Sequence, residues 1–186
     1  MTLRVRPFSA GLADLVSSWA GTAGEVLMWC GLAAAPVPAG QIEAWADEDG
    51  VQPFGLYRDE QLVGYGELWV DDDEAEVELA RLIVDPRERG QGLGRHLAAE
   101  LAGRARSVHP LVFLRVHPAN LAAQRCYAAA GFQPVTPEQA AEWNTGQPVA
   151  YLWFTLAAQA GGRAGESSAR TGQNRPGART APAERL

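Results

Sequence analysis

The stretch Arg-Leu-Ile-Val-Asp-Pro-Arg-Glu-Arg-Gly-Gln-Gly-Leu-Gly-Arg, residues 81–95, constrains the fold of this 186-residue chain more than any other segment. An apolar run ends on Pro86, glycines alternate at 90, 92 and 94, and a helical pattern begins at once. That order predicts a strand, a sharp turn and a helix. Within the helix, Leu93, Leu97, Leu101 and Ala105 recur every four residues, so 93–108 has one apolar face that must lie against other structure. Glycine has no Cβ, so the turn can bend tightly and a bulky ligand can approach its peptide N–H groups. At a helix start those groups form an anion site suited to a phosphate or diphosphate, and Arg87, Arg89 and Arg95 add charge around it. The plain alternative is a loop in which the glycines only turn the chain.

Around this segment, alternation marks 3–6 as a first strand, and 9–21, 24–32 and 38–50 as short helical pieces broken by glycine and proline. Three strands follow at 53–58, 61–70 and 76–86, joined by tight polar turns that make both pairs antiparallel. A strand at 110–118, a helix at 119–131 stopped by Gly131, and closing strands at 132–135 and 148–156 complete the pattern. The expected architecture is α/β: a mixed, mostly antiparallel central sheet with flanking helices. From residue 159 the chain is rich in Gly, Ala, Ser, Arg and Pro and almost free of large apolar side chains. Such a segment cannot offset its ordering entropy, so one domain over 1–158 and a disordered tail over 159–186 are expected.

Composition removes several classes of function. Apolar residues make up 47% of the chain, yet no run approaches the roughly 18 that a membrane span requires. The amino terminus lacks the apolar core of a secretion signal, so no membrane association and a cytoplasmic location are expected. The net charge of −6, with every basic residue an arginine, argues against nucleic acid as a partner. Cys30 and Cys126 lie far apart in apolar surroundings and read as buried thiols. No metal is expected, because His96, His109 and His117 stand in no ligand-like spacing.

The glycine spacing is G-x-G-x-G rather than the G-x-G-x-x-G of dinucleotide-binding turns, and a P-loop would need a lysine. What "RGQGLG" matches is R-x-x-G-x-G, Arg89 to Gly94, after a strand ending "RLIVDP". This context resembles the acetyl-CoA-binding motif of the GNAT family of N-acetyltransferases. A second segment agrees: "NLAAQRCYAAAGF", 120–132, resembles that family's later motif, with Asn120 opening a helix, Tyr127 seven residues on, and Gly-Phe after it. The resemblance covers about residues 3–156 and implies the acyl-CoA N-acyltransferase fold, acetyl-CoA as cosubstrate, and transfer of acetyl to a primary amine by direct attack in a ternary complex.

It also implies roles for particular residues. The backbone of Leu82, Ile83 and Val84 would pair with the pantetheine arm, although their side chains alone read as core. The pyrophosphate would sit on Arg89, Gly90, Gln91, Gly92, Leu93, Gly94 and Arg95, through N–H groups more than side chains. Asn120 would lie near the pantetheine; its ordinary role is a helix cap. Tyr127 would contact the sulfur and protonate the leaving thiolate, where the ordinary reading is a core tyrosine. A backbone N–H near Leu82 or Ile83 would face the developing oxyanion. Glu78, eleven residues before Arg89, stands where the histone-modifying branch carries its general base; it also reads as one solvated acid among six, with a water chain ending at Glu76 or Glu78 as the other route. Arg115 stands where ribosomal-protein alanine acetyltransferases carry a catalytic glutamate, which weakens protein N-termini as substrates.

The acceptor pocket would be framed by 9–50 and 133–148, with Trp19, Trp29, Trp45 and Trp143 available to line it. Acidic clusters at 47–49 and 71–78 favour a cationic acceptor, a small molecule or a peptide amine. Homodimers are common in the family, and nothing in the residues demonstrates one here. The rival from another class is a non-catalytic acyl-CoA sensor on the same fold.

Overall fold

The computed structural model describes residues 2–156, so the tail expected over 159–186 lies outside the described residues. Seven strands form one sheet: β1 (Leu3–Pro7), β2 (Val51–Arg58), β3 (Gln61–Asp71), β4 (Glu76–Val84), β5 (Leu111–Val116), β6 (Phe132–Pro134) and β7 (Leu152–Leu156). Their spatial order is β1-β2-β3-β4-β5-β7-β6, antiparallel throughout except for β4 beside β5. The helices are α1 (Ala13–Ser17), α2 (Ala23–Cys30), α3 (Ala39–Trp45), α4 (Leu93–Val108), α5 (Leu121–Ala129) and α6 (Pro137–Trp143).

The sheet separates two cores. On one face, Leu93, Leu97, Leu101 and Ala105 of α4 pack with Val77 and Leu79 of β4, Val112 and Leu114 of β5, and Tyr127 of α5. Leu97 and Leu101 are fully buried, a contribution of about 1.5–3 kcal/mol each. On the other face, α1 to α3 and the turn after α1 supply Val16, Trp19, Val26, Ile42 and Trp45 against Tyr57, Tyr65 and Ile83. A smaller cluster of Phe113, Trp143 and Trp153 closes the far end of that face.

Local chemistry moves some boundaries. The single helical piece expected over 9–21 is a 3₁₀ turn at Ala10–Leu12 followed by the short α1, and α6 forms inside a segment read from sequence as a loop. The start of α6 is fixed by a capping box between Thr136 and Gln139 with Pro137 at its first turn. The last strand starts at Leu152 rather than 148, because Asn144 at the end of α6 draws in the preceding residues: its Oδ1 accepts from the Tyr151 N–H at 2.9 Å and the Trp153 indole N–H at 3.0 Å.

Two irregularities of β4 shape everything near it. Its parallel ladder with β5 covers only Glu76–Glu78, paired with Leu111–Phe113; beyond that the two strands part. Its ladder with β3 slips, with Tyr65 opposite Ile83 but Glu67 opposite Ala80, so Gly66 alone faces two residues, Arg81 and Leu82. This is a β-bulge. Arg81 carries it with φ of +50°, a left-handed conformation that costs a non-glycine residue about 1–2 kcal/mol. Gly66 makes room for it: a Cβ there would lie 3.0 Å from both Leu101 Cδ1 and Leu82 Cγ. Gly66→Ala is therefore expected to overpack the seam and destabilise the fold by about 1–3 kcal/mol, read as a lowered midpoint in denaturant unfolding.

Candidate active site

A cavity of about 740 Å³ opens where β4 leaves β5. Its walls are the end of β4 (Leu82, Ile83, Val84), the loop from Glu88 to Gly92, the first turn of α4, the face of α5 from Asn120 to Ala129, and Glu25, Met28 and Trp29 of α2.

The glycine segment forms the polar end. Gly90 and Gly92 have φ of +81° and +79°, and nothing stands within 4 Å of where a Cβ would be on either. Both thus combine a backbone that other residues rarely adopt with open space for a ligand. Gly92 is the N-cap of α4 and no side chain caps it, so the N–H groups of the first turn and the positive end of a 16-residue helix remain available to an anion. Gly94 has a different task. It is helical, and a Cβ there would come within 3.1 Å of Cys126 Sγ, so it sets the close approach of α4 to α5.

The arginines divide in a way that sequence did not foresee. Arg95 lines the cavity, as does Arg125, which spacing gave no reason to single out. Arg87 instead forks onto Asp85, with Nη2 to Oδ2 at 2.6 Å and Nε to Oδ1 at 3.0 Å. The guanidinium of Arg89, though part of the wall, is engaged by the protein: it donates to the carbonyls of Trp19 (3.0 Å) and Val84 (3.1 Å) and pairs with Glu25 at 3.2 Å. It fastens α2 across the cavity. The Gln91 side chain points away as well, its amide oxygen accepting from Arg58 and its amide nitrogen donating to Glu88.

Leu82, Ile83 and Val84 supply the edge. The Asp85 N–H donates to Val63 O at 3.0 Å, and Ile83 stands opposite Tyr65 in the same alternation. In an antiparallel ladder the intervening residues turn their polar backbone to the other side. Leu82 and Val84 therefore present theirs to the edge that β5 has left, and there Val84 O already meets Arg89.

On α5, Asn120 caps the helix, its Oδ1 accepting from the Ala123 N–H at 3.1 Å, and the residue also lines the cavity. Tyr127 is 9% exposed, lines the cavity, and its hydroxyl makes no hydrogen bond among the described residues. Burial, then the neighbouring Cys126, pushes its pKa up, so the phenol keeps its proton throughout the neutral range. Burial likewise raises the thiols of Cys30 and Cys126 above their ordinary value, which keeps both protonated.

Glu78 requires a correction. It is neither a solvated acid nor part of the cavity wall: it is 6% exposed, on the face of the sheet opposite α4, with its Oε1 3.0 Å from Arg115 Nε. The Arg115 guanidinium carbon lies 5.5–5.8 Å from the ring centroids of Trp69, Tyr151 and Trp153. The strand alternation that buries Val77 and Leu79 under α4 sends Glu76 and Glu78 to this side, a register that an isolated acidic run could not reveal. Of the four tryptophans expected to frame a pocket, Trp29 lines the cavity; Trp19, Trp45 and Trp143 are buried packing residues. Among the described residues no group of three His, Cys, Asp or Glu side chains is placed to hold a metal, and no helix is long and apolar enough to cross a membrane.

Comparison with known proteins agrees with this geometry. The model of the acetyltransferase (GNAT) family matches residues 23–132. Among solved structures, AAC(6')-Ib in complex with ribostamycin and coenzyme A is similar with a TM-score of 0.65 at 18% identity, over 84% of this chain and 93% of that one. Spermidine N-acetyltransferase from Vibrio cholerae in complex with CoA and spermine gives 0.61 at 17%, over 72% and 82%. A putative acetyltransferase, yncA from Salmonella typhimurium, with acetyl-CoA, gives 0.64 at 18%, over 88% and 98%. Identities this low show a shared fold.

Asp85, 1% exposed, anchors the loop that leads into the glycines, and its carboxyl is held below its ordinary 3.8 chiefly by hydrogen bonding to the Arg87 side chain. A depressed folded value means the stabilisation is full above the ordinary value and is lost as pH falls through the lower one. The melting temperature of Asp85→Asn is thus expected to lie below the native one at neutral pH, with the gap closing as the pH is taken below 3.8.

Proposed function

Because the chain belongs to the acetyltransferase (GNAT) family, we propose that it moves an acetyl group from acetyl-CoA to a primary amine, by direct attack within a ternary complex. The observation that carries this reading is one continuous cavity, with left-handed glycines at the start of α4 at one end and Tyr127 in the wall it shares with the free edge of β4. The residues present fit that cosubstrate. Gly90 and Gly92 leave space where side chains would stand, and Arg95 and Arg125 bring positive charge. The strand edge of Leu82 to Val84 offers backbone pairing to an extended arm.

When bound, acetyl-CoA supplies the acetyl carbon to which the amine nitrogen bonds as the carbon–sulfur bond breaks. The N–H groups from Gly90 to Arg95 bind the diphosphate. The Leu82 N–H faces the carbonyl oxygen where negative charge develops. Tyr127 holds a proton at its phenolic oxygen and delivers it to the departing sulfur; its raised pKa keeps that proton in place at neutral pH, and among the described residues no hydrogen bond competes for it. The proton lost by the incoming ammonium passes to water ending at Glu76 or Glu78. Direct abstraction by Glu78 is less well supported, since Arg115 holds that carboxylate on the other face of the sheet.

For the acceptor we favour a cationic amine, small or peptidic. The acidic clusters at 47–49 and 71–78 and the net charge of −6 support a cation, although the carboxylates of Glu25, Glu48, Glu67, Glu78 and Glu88 are each paired with an arginine. Similar structures include a spermidine acetyltransferase with spermine and an AAC(6')-Ib complex with an aminoglycoside, which accords with this choice.

The test is a thiol-release assay with acetyl-CoA against polyamines, aminoglycosides, amino acids and peptide amines, beside calorimetry of acetyl-CoA binding. Saturable release with a cationic amine is expected; release confined to uncharged or anionic amines would refute the acceptor class, and absence of binding the whole reading. Tyr127→Phe is expected to lower kcat by about 10²-fold or more with CoA affinity kept, as loss of a general acid does. Gly92→Val is expected to do the reverse, weakening CoA binding at least about tenfold by filling the anion site and straining the turn.

A further inference from the structure

Ala80 and Arg81 face the same side of the sheet, because Gly66 stands opposite both Arg81 and Leu82. At φ of +50° a glycine would hold this bulge without strain, yet the residue there is an arginine. The side chain is what distinguishes it. The guanidinium, 4% exposed, pairs with Glu67 at 3.0 Å and Glu48 at 3.9 Å. Its carbon lies 3.9 Å from the ring centroid of Trp45 and 4.7 Å from that of Trp69. Glu67, fully buried, also accepts from the Tyr65 hydroxyl and the Trp69 indole N–H, both at 2.6 Å. The carbonyl of Arg81 accepts from the Trp29 indole N–H at 2.7 Å. Side chain and backbone of one strained residue are thus both fixed, and of these partners only Trp29 lines the cavity.

We infer that Arg81 is a positioning residue for the reacting end of the cleft: the Glu67–Arg81 pair, clamped between Trp45 and Trp69, holds the β4 bulge that turns the Leu82 N–H away from β3. The inference rests on the acetyl-CoA reading of the cavity and adds a component that lies outside the cavity wall. Strained backbone persists where its surroundings over-determine it. A planar guanidinium stacked on indole faces, with one nitrogen on buried Glu67 and the other toward Glu48, is restrained in direction as well as charge, which a lysine would not reproduce. Released from the clamp, residue 81 relaxes toward extended backbone, and a one-residue slip in register exchanges which N–H groups face the cleft. Through Trp29, the helix that covers the cavity is attached to the same point.

The experiment must separate positioning from stability. Removing Arg81 alone strands Glu67 as a buried charge, so the informative variant is Arg81→Met/Glu67→Gln, in which neither charge remains. A second, Arg81→Leu/Glu67→Gln, likewise removes both charges and the ion pair while keeping a side chain that disfavours the left-handed conformation, and serves if the first does not fold. Difference infrared spectroscopy of acetyl-CoA isotope-labelled at the acetyl carbonyl reads the hydrogen bond directly, with calorimetry of CoA binding and thermal melting alongside. In the native protein the bound carbonyl band is expected at lower frequency than in free acetyl-CoA. In a cooperatively melting double variant, CoA affinity is expected to stay within about threefold of native while that shift is lost and kcat falls without a matching change in KM. A native-sized shift in either folded variant would overturn the inference, as would native protein that binds acetyl-CoA with no shift. Failure of the native protein to bind acetyl-CoA would overturn the reading beneath it as well.

Discussion

The cleft exists because β4 keeps one neighbour and gives up the other. Three residues pair with β5, after which the strand continues to Val84 with β3 alone beside it. An unpaired strand edge inside a protein is costly unless something meets its N–H and C=O groups. Here the Arg89 side chain meets one of them, at Val84, and the cavity takes up the rest of the edge, leaving a row of directed hydrogen-bonding groups that an elongated polar molecule can complete. The glycine turn, α4 and α5 close around that edge, so the position of the divergence decides the position of the site.

Around this opening the polar contacts act as braces. Arg89 joins the end of β4 to α2 and to the carbonyl of Trp19. Asp85 orders the 3₁₀ turn that follows the strand by accepting from the Arg87 N–H and side chain. Arg81 joins the bulge to Glu67, Glu48 and two indoles. Arg89 and Arg81 connect elements far apart in sequence, the Asp85–Arg87 pair is local, and each uses the fixed, multidentate geometry of a guanidinium. The exposed members of these pairs contribute little to stability on their own; their effect is to remove alternative conformations from the walls of the cavity.

How much of this could be read in the chain follows from which interactions are local. The strand–glycine–helix unit at 81–95, the α4 face of Leu93, Leu97, Leu101 and Ala105, and the cap at Asn120 depend on spacing along the chain, and they were legible. The bulge at Arg81 was not, since it arises from a register slip against Gly66 that no periodicity in β4 records. Of the two readings of Glu78, general base and solvated acid, the solvated one fails because its partner, Arg115, lies 37 residues away on the parallel strand. That the Arg89 guanidinium is held by Glu25 and Trp19 was not legible, because those partners lie 64 and 70 residues away. Arg125 went unnoticed because a lone cation on a helix face has no pattern of its own.

The separation of two cores by one sheet has an evolutionary corollary. Substitutions among α1 to α3 alter packing against Tyr57, Tyr65 and Ile83 without touching the leucines of α4, and the converse also holds. The two faces can therefore drift at different rates, one remodelled for new chemistry while the other is preserved. Their shared boundary is the sheet, where the chain alternates between the cores at Leu56 and Tyr57, at Leu62 and Val63, and in β4, which passes from Arg81, turned toward one core, to Leu82, packed against the other. Compensating changes between the halves are thus most expected at these positions, and a chimera that joins the halves of two such chains has its most sensitive junctions there.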